Sequence, residues 1–323
     1  MEIGLFALFL VMKLPAAASV AQQPAPKANA DDGKANGLAN GDFTALVNGF
    51  HIHYQVRGRG PACIALTNSW GLTGEGVRAV LRALEDRLTM VYFDPRGMGK
   101  SDAVVVDADM SMKAVREDAN ALRAHLKLDK AIFIGWSNGA ANLMMFAAEY
   151  PETVSAAIML HGVAYFAPEE IEPIAKKYPD LFQRFGKYQQ EMSASTLPAS
   201  EKNKKVKQFD LEVWFPFLFA DPKAGRASLK ELFASAEFSY KHAMYSNAEQ
   251  QSFDARPSLP KIKAPTLVIA GVHDMMPPEK VKQVADAIPN AKFVVFENSG
   301  HFSPVEERDK FVDAVVSFLR LEK

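Results

Sequence analysis

Short, almost uniformly apolar runs alternate along this chain with stretches in which apolar residues recur at helical spacing. The apolar runs predict strands at residues 62–66, 89–93, 131–134, 156–160, 266–270 and 292–296. The helical periodicity predicts helices at residues 76–88, 111–126, 140–150, 281–288 and 310–319. Strands that are apolar on both faces must be covered on both sides. The pattern therefore predicts the α/β class, with a mostly parallel sheet and helices on both faces.

Two segments depart from this alternation. Residues 43–47 and 51–56 alternate in polarity around Asn48-Gly49, which predicts a hairpin that adds an antiparallel edge to the sheet. Residues 163–256 contain no convincing strand and are rich in aromatic, helical segments. We expect this segment to be a helical cap over the carboxyl ends of the strands, where open α/β sheets bind ligands. The predicted core then comprises residues 42–162 and 257–323.

The first residues have the pattern of an export signal. Residues 4–12 form an apolar segment too short to span a bilayer, and Ser19-Val20-Ala21 fits the small-residue cleavage pattern. We expect a signal peptide at residues 1–21, a flexible linker at 22–41, and export to the periplasm or medium of a bacterium. Because of Glu2 and the lack of a basic residue before the apolar segment, a disordered leader or a misassigned start codon is the alternative, and the protein would then be cytoplasmic.

Charge and cysteine content narrow the range of partners. The 323 residues include 37 basic and 38 acidic ones, a balance that favours neither a nucleic-acid surface nor stable membrane association once a signal is removed. The one cysteine, Cys63, lies in an apolar run and is interpreted as a small buried residue. No Cys/His cluster has metal-ligand spacing, so we expect neither a metal nor an organic cofactor. The expected partner is a small molecule or a short peptide, and the oligomeric state stays open.

The strongest chemical signal is Gly135-Trp136-Ser137-Asn138-Gly139, in which glycines lie two positions to either side of a serine. This segment lies between a predicted strand and a predicted helix. A strand that turns abruptly into a helix holds the residue at the turn in a strained conformation, with its side chain projecting from the sheet. The small neighbours let helix and strand approach. An ordinary turn with Ser137 as the helix N-cap is the alternative.

A serine hydroxyl needs a base to take its proton and an acid to orient that base. Asp274 comes just after the predicted strand at 266–270, and His301 comes just after the strand at 292–296. Because all three residues follow strand ends, we expect them at the same edge of the sheet. The sequence therefore predicts a catalytic triad with Ser137 as nucleophile, His301 as base and Asp274 as acid.

From about residue 43 onwards, the chain resembles the α/β hydrolases, and within them the proline iminopeptidase-like branch of serine hydrolases. The likeness is carried by the opening hairpin, residues 93–102, residues 135–139 and residues 298–302 with Glu306-Glu307 after them. The order Ser, Asp, His along the chain is the triad order of that fold. The resemblance implies the α/β-hydrolase fold and a serine nucleophile, and it says little about the substrate.

Acyl transfer also needs backbone N–H donors for the oxyanion. Asn138, directly after the nucleophile, should supply one of them. The resemblance implies that the other comes from Ser69, in a loop where relatives carry His-Gly-Gly-Pro-Gly or a similar run. Here Thr67 and Asn68 replace the family's His and first Gly. A main-chain donor requires no particular side chain, so this departure weakens the peptidase assignment without removing the catalytic one.

Substrate contacts are expected close to the triad and from the helical insertion. The candidates are Trp70, Trp136, His161, Trp214 and Phe215. For these residues a purely structural packing role is the alternative. If the substrate has a free amino terminus, the insertion should supply a carboxylate for the ammonium group, and Glu237 and Glu249 are the candidates. A solvated helix face is the other explanation for these two glutamates.

These observations predict a serine hydrolase that cleaves an ester or amide bond through an acyl-enzyme. An aminopeptidase for N-terminal proline follows the resemblance, whereas a carboxylesterase or lactonase for a small apolar substrate follows the departure at Thr67-Asn68. A non-catalytic ligand-binding protein on the same fold is the alternative from a different functional class.

Overall fold

The computed structural model describes residues 38–67, 70–166 and 168–321. The predicted signal peptide, most of the predicted linker and the proposed oxyanion donor Ser69 therefore lie outside the described residues. Every predicted strand and the opening hairpin lie within them.

Eight strands of the described chain form one sheet: β1 Gly41–Val47, β2 Phe50–Gly58, β3 Ala62–Leu66, β4 Thr89–Phe93, β5 Ala131–Trp136, β6 Val154–Leu160, β7 Thr266–Gly271 and β8 Ala291–Phe296. Their order is β1-β2-β4-β3-β5-β6-β7-β8. The first two strands pair antiparallel, β2 also runs antiparallel to β4, and the other neighbouring pairs are parallel. The predicted mostly parallel sheet with an antiparallel edge is confirmed.

The helices of the described residues are α1 Gly74–Leu81, α2 Met112–His125, α3 Asn138–Glu149, α4 Pro168–Lys177, α5 Pro179–Ala194, α6 Ala199–Phe209, α7 Phe215–Phe217, α8 Pro222–Leu232, α9 Tyr240–Gln250, α10 Pro278–Ala287, α11 Ser303–Glu306 and α12 Arg308–Leu319. Helices α4 to α9 all lie between β6 and β7. Within the described residues, no helix is both long enough and apolar enough to cross a membrane.

The sheet separates two apolar clusters, and alternate residues of the central strand β5 belong to opposite ones. Phe133 packs in the cluster that includes side chains of α2, α3 and α10. Ile132 and Ile134 pack in the other cluster, with side chains of α1 and α12 and with aromatic residues of the segment between β6 and β7. Strand β5 is buried along its whole length because both of its faces are covered.

The segment between β6 and β7 is helical, but its internal boundaries differ from the periodicity of the sequence. The pattern at residues 228–245 predicts one helix, and the structure instead ends α8 at Leu232 and begins α9 at Tyr240. The intervening chain buries Phe233 and Phe238, and Phe238 pairs with Leu72 as an isolated β-bridge. Apolar contacts with residues outside positions 228–245 thus outweigh the helical periodicity of that stretch of sequence.

The turn from β5 into α3 depends on a very close approach of backbone segments. A Cβ atom on Gly135 would lie 2.3 Å from the carbonyl oxygen of Gly139, and a Cβ atom on Gly139 would lie 2.6 Å from the carbonyl oxygen of Leu66. Both distances are below any van der Waals contact, so these two positions accept only glycine. This packing fixes the start of α3 against the ends of β3 and β5.

Replacing Gly135 with alanine should lower the free energy of unfolding by about 3 kcal/mol or more, because the added methyl group overlaps backbone atoms that cannot move away. Gly186→Ala is the matched control. Gly186 lies inside α5, where a Cβ atom meets nothing within 4 Å, and the change should raise stability by about 0.5 to 1 kcal/mol. Urea unfolding followed by circular dichroism measures both. Unchanged stability of Gly135→Ala would contradict the close approach.

Candidate active site

Ser137 lies at the turn between β5 and α3 in a strained backbone conformation. Its φ angle is 58° and its ψ angle is −122°, a region that non-glycine residues rarely occupy. The surrounding main chain holds this conformation: the Ser137 N–H donates to the carbonyl oxygen of Leu160 at 2.8 Å, and the Ser137 carbonyl accepts from Ala140 at 2.9 Å. The residue faces a cavity that His301 also lines.

Asp274 and His301 are brought together by two loops that pass close to each other. A Cβ atom on Gly271, at the end of β7, would lie 2.3 Å from the carbonyl oxygen of Gly300. The His273 N–H donates to the carbonyl oxygen of Ser299 at 3.0 Å. At this separation, Nδ1 of His301 lies 3.0 Å from Oδ1 and 2.8 Å from Oδ2 of Asp274. The remaining ring nitrogen of His301, Nε2, is left for other partners.

The Asp274 carboxylate has no solvent exposure and is nevertheless held ionised. Burial alone would raise its pKa, but the charge attraction of His301 and hydrogen bonds from His161 and His301 outweigh burial and lower the pKa. The Met276 N–H donates to Oδ1 at 3.1 Å, and Nδ1 of His161 lies 2.8 Å from Oδ2. A buried carboxylate with several N–H donors is suited to orient an imidazole and to stabilise its protonated form.

The main-chain N–H and the carbonyl oxygen of His301 are both hydrogen-bonded to residues of other elements. Its N–H donates to the carbonyl oxygen of Leu218 at 2.7 Å, and its carbonyl oxygen accepts from Nε1 of Trp136 at 2.7 Å. Leu218 belongs to the helical segment between β6 and β7, and Trp136 precedes Ser137. The position of the imidazole is therefore set jointly by that segment and by the turn at Ser137.

Glu306 reinforces the same loop from α11. Its carboxylate accepts the N–H groups of Ala220 at 2.7 Å, Gly300 at 2.9 Å and Phe302 at 3.2 Å. Burial raises the pKa of this carboxyl group, and the three N–H donors oppose that effect. The sequence gives Glu306 as part of a family likeness, and its role as a junction between loops becomes visible only in the structure.

Asn138 is the first residue of α3, so its N–H has no acceptor within the helix. That group lies directly after Ser137 and beside the same cavity. The second expected donor, Ser69, is outside the described residues, and its neighbour Trp70 lines the cavity. The arrangement places a helix N-terminus, which favours negative charge, next to Ser137.

The cavity beside Ser137 has a volume of about 130 Å³ and an aromatic, apolar wall. Two of the lining rings, those of Trp70 and Trp214, are stacked, with centroids 6.4 Å apart and an interplanar angle of 9°. Five residues singled out in the sequence line this cavity: Trp70, Trp136, His161, Trp214 and Phe215.

The two glutamates proposed to face an ammonium group, Glu237 and Glu249, are not among the residues that line the cavity. Glu237 is exposed, and its carbonyl oxygen accepts from the Thr73 N–H at 3.3 Å. Glu249 accepts the N–H of Met112, the first residue of α2, at 2.9 Å. A carboxylate at a helix N-terminus stabilises that helix, which explains Glu249 without a ligand.

Several lining residues are not evident from the sequence. Phe182 and Phe185 come from α5, and their spacing of three residues is the only signal that they share a helix face. Gln250 ends α9, and Met275 and Met276 follow Asp274. Nothing in the sequence pattern connects these positions with Ser137, because their approach depends on how the helices between β6 and β7 pack.

Among the described residues, one group of histidine and acidic side chains has ligand atoms within 4.8 Å of one another, namely His161, Asp274 and His301. Each of these histidines has its Nδ1 atom at hydrogen-bond distance from the same carboxylate. Hydrogen bonds to the Asp274 carboxylate therefore explain why these three side chains lie close together.

Asp94 and Arg96, which the sequence places near the same edge, are engaged in structural contacts. The Asp94 carboxylate accepts the N–H groups of Gly74 at 2.8 Å and Lys100 at 3.0 Å. The guanidinium group of Arg96 pairs with the buried carboxylate of Asp118. These contacts organise the turn after β4.

Comparison with known proteins agrees with this geometry. A family model for the alpha/beta hydrolase fold matches residues 66–308. A 2-hydroxy-6-oxo-6-phenylhexa-2,4-dienoate hydrolase of Comamonas testosteroni is 27% identical over 282 residues, which cover 84% of this chain and 92% of that protein. A proline iminopeptidase of Saccharolobus solfataricus is 22% identical over 285 residues, with 84% and 89% coverage.

Among solved structures, the enol-lactonase from Burkholderia xenovorans superposes with a TM-score of 0.65 at 23% identity, covering 86% of this chain and 99% of that one. The family match spans most of the chain and confirms the predicted fold. Together with the hydrolase names of the relatives, the family match also confirms the prediction that the protein is a hydrolase. This chain belongs to the alpha/beta hydrolase fold family.

Proposed function

We propose that this protein is a serine hydrolase that cleaves an ester or amide bond through an acyl-enzyme. The observation that carries the proposal is the pairing of His301 Nδ1 with the buried Asp274 carboxylate, in a cavity that the strained Ser137 also faces. With Nδ1 engaged by Asp274, Nε2 is the ring nitrogen that takes the proton of the nucleophile.

In the proposed reaction, Oγ of Ser137 attacks the substrate carbonyl carbon while its proton passes to Nε2 of His301. The oxyanion is held by the N–H of Asn138, with Ser69 proposed as the second donor. Collapse of the tetrahedral intermediate expels the leaving group, which receives the proton from His301. Water then attacks the acyl-enzyme with His301 again acting as base, and the acid product and free Ser137 are released.

We further propose that the acyl group is small, apolar and uncharged. None of the described side chains that line the cavity is a Lys, Arg, Asp or Glu. An ion placed there would lose its hydration without gaining a partner of opposite charge. The volume of about 130 Å³ is close to that of engineered apolar cavities that hold benzene, at roughly 150 Å³. A short-chain or single-ring acyl group fits these properties.

This chemistry favours an esterase or lactonase over an aminopeptidase. An N-terminal proline would bring an ammonium group into the cavity, and Glu237 and Glu249, the acids expected to meet it, lie elsewhere. The Comamonas relative is named for a dienoate, which carries a carboxylate, and no described Lys or Arg side chain lines the cavity here. The likeness to those relatives is therefore taken to extend to the hydrolase fold and not to the charged groups of their substrates.

Ser137→Ala and His301→Ala should each reduce kcat for a nitrophenyl ester by about four orders of magnitude or more, by analogy with other triad knock-outs. Ser228→Ala is the matched control, because Ser228 is exposed on α8 and is not among the residues that line the cavity. A fluorophosphonate probe should label the wild type and Ser228→Ala at residue 137 and leave Ser137→Ala unlabelled. A folded wild-type protein that does not react would instead favour the non-catalytic binding protein.

The charge of the acyl group is tested with two matched substrate pairs. Cyclopentanecarbonyl nitroanilide should be cleaved with a kcat/KM about a hundredfold above that of prolyl nitroanilide, since the two differ by the ammonium group. Nitrophenyl pentanoate should exceed nitrophenyl hemisuccinate by a similar factor, since these differ by a carboxylate. Preference for the prolyl substrate would identify an aminopeptidase, and preference for the hemisuccinate would contradict the uncharged acyl site.

A further inference from the structure

His161 lies directly after β6, at the edge of the sheet where Ser137 and His301 meet. Its φ angle is 56°, in the left-handed region, and its N–H donates to the carbonyl oxygen of Ile269 at 2.9 Å. The turn directs the imidazole between the loops that carry Asp274 and His301, and the side chain has no solvent exposure. The rings of His161 and His301 have centroids 5.1 Å apart.

Both ring nitrogens of His161 have buried partners. Nδ1 lies 2.8 Å from Oδ2 of Asp274, and Nε2 lies 2.8 Å from Oγ of Ser303, which is itself fully buried. Burial lowers the pKa of His161, and the hydrogen bond to Asp274 opposes this shift only in part, so the ring is neutral. An ionised carboxylate only accepts hydrogen bonds. Nδ1 therefore carries the proton, and Nε2 accepts the hydroxyl proton of Ser303.

This assignment gives Oδ2 of Asp274 two imidazole donors. His301 and His161 both lie 2.8 Å from that one oxygen, and Oδ1 is occupied by the Met276 N–H. The carboxylate is thus held by a second imidazole besides that of the base, and one of its hydrogen bonds comes from a group that does not take part in proton transfer. A neutral ring can do this without adding a charge to the site.

We propose that His161 is a positioning residue for the triad, which fixes the orientation of the Asp274 carboxylate and limits how strongly that carboxylate holds the protonated form of His301. The inference rests on the proposed serine-hydrolase function. In an enzyme whose base must lose its proton again in each half-reaction, an acid that binds the imidazolium too tightly would slow that return. The hydrogen bond from the neutral His161 ring weakens the attraction between the Asp274 carboxylate and the His301 imidazolium.

The titratable groups that face this network come from three elements. Asp274 follows β7, His301 follows β8, and the carboxylate of Glu306 on α11 interacts with that of Asp274. Ser303, also on α11, is the polar but not titratable partner of Nε2. Because Glu306 accepts three main-chain N–H groups, its position does not depend on His161.

The test compares two substitutions at position 161. His161→Ala removes the donor to Asp274, so kcat should fall about ten- to hundredfold, the value of one hydrogen bond to a charged group. The carboxylate then holds the His301 imidazolium more strongly. The midpoint of the acidic limb of kcat/KM against pH should therefore move to higher pH by about one unit. His161→Asn keeps an N–H donor at the Nδ1 position and tolerates positive φ, so it should restore most of kcat and the original midpoint.

His242→Ala is the control for a purely structural effect. His242 is also a buried histidine, and its Nε2 bonds to the carbonyl oxygen of Arg96 at 2.9 Å, away from the triad. Its loss should lower thermal stability without moving the acidic limb. If His161→Ala loses stability but keeps the wild-type midpoint, or if His161→Asn behaves like His161→Ala, the positioning role is wrong. A wild type that the fluorophosphonate probe does not label would overturn the serine-hydrolase function itself, which separates the two failures.

Discussion

The packing of α3 against the ends of β3 and β5 is the constraint from which the rest of the site follows. It brings backbone atoms so close that Gly135 and Gly139 have no room for a Cβ atom. The chain can make this turn only by holding Ser137 at positive φ, a conformation that costs about 1 to 3 kcal/mol. The buried sheet supplies the rigidity that keeps the strained residue in place. It also puts the side chain of Trp136 where its Nε1 reaches the carbonyl oxygen of His301.

A second constraint is the charge of Asp274, which is completely removed from water. An isolated buried carboxylate would become protonated, so its ionised state depends on every N–H group that converges on it. Two of those donors are imidazoles from different loops, and one is the main chain of Met276. Because the buried charge needs all of these donors, the residues that follow β6, β7 and β8 must lie close together.

The sequence predicts the sheet and the meeting of the three candidate catalytic residues because both depend on strong local signals. Uniformly apolar runs identify buried strands, and residues directly after parallel strands must meet at one edge, as Ser137, Asp274 and His301 do. The helical segment after β6 is predicted less well. Its helix boundaries at Leu232 and Tyr240 are set by burial of Phe233 and Phe238 against distant residues. Glu249 looks like a candidate ligand in sequence, and only packing shows that it serves the first turn of α2.

The helical segment after β6 contributes to the proposed chemistry as well as to the shape of the cavity. Phe182, Phe185 and Trp214 form part of the wall, while Leu218 accepts the N–H of His301. Ala220 from the same segment donates to Glu306, which in turn holds the loop that contains His301. The cavity wall and the loop that carries His301 are therefore joined by direct hydrogen bonds. A change in how these helices pack would alter the shape of the cavity and the placement of the imidazole together. In the proposed enzyme, specificity and rate would then change together.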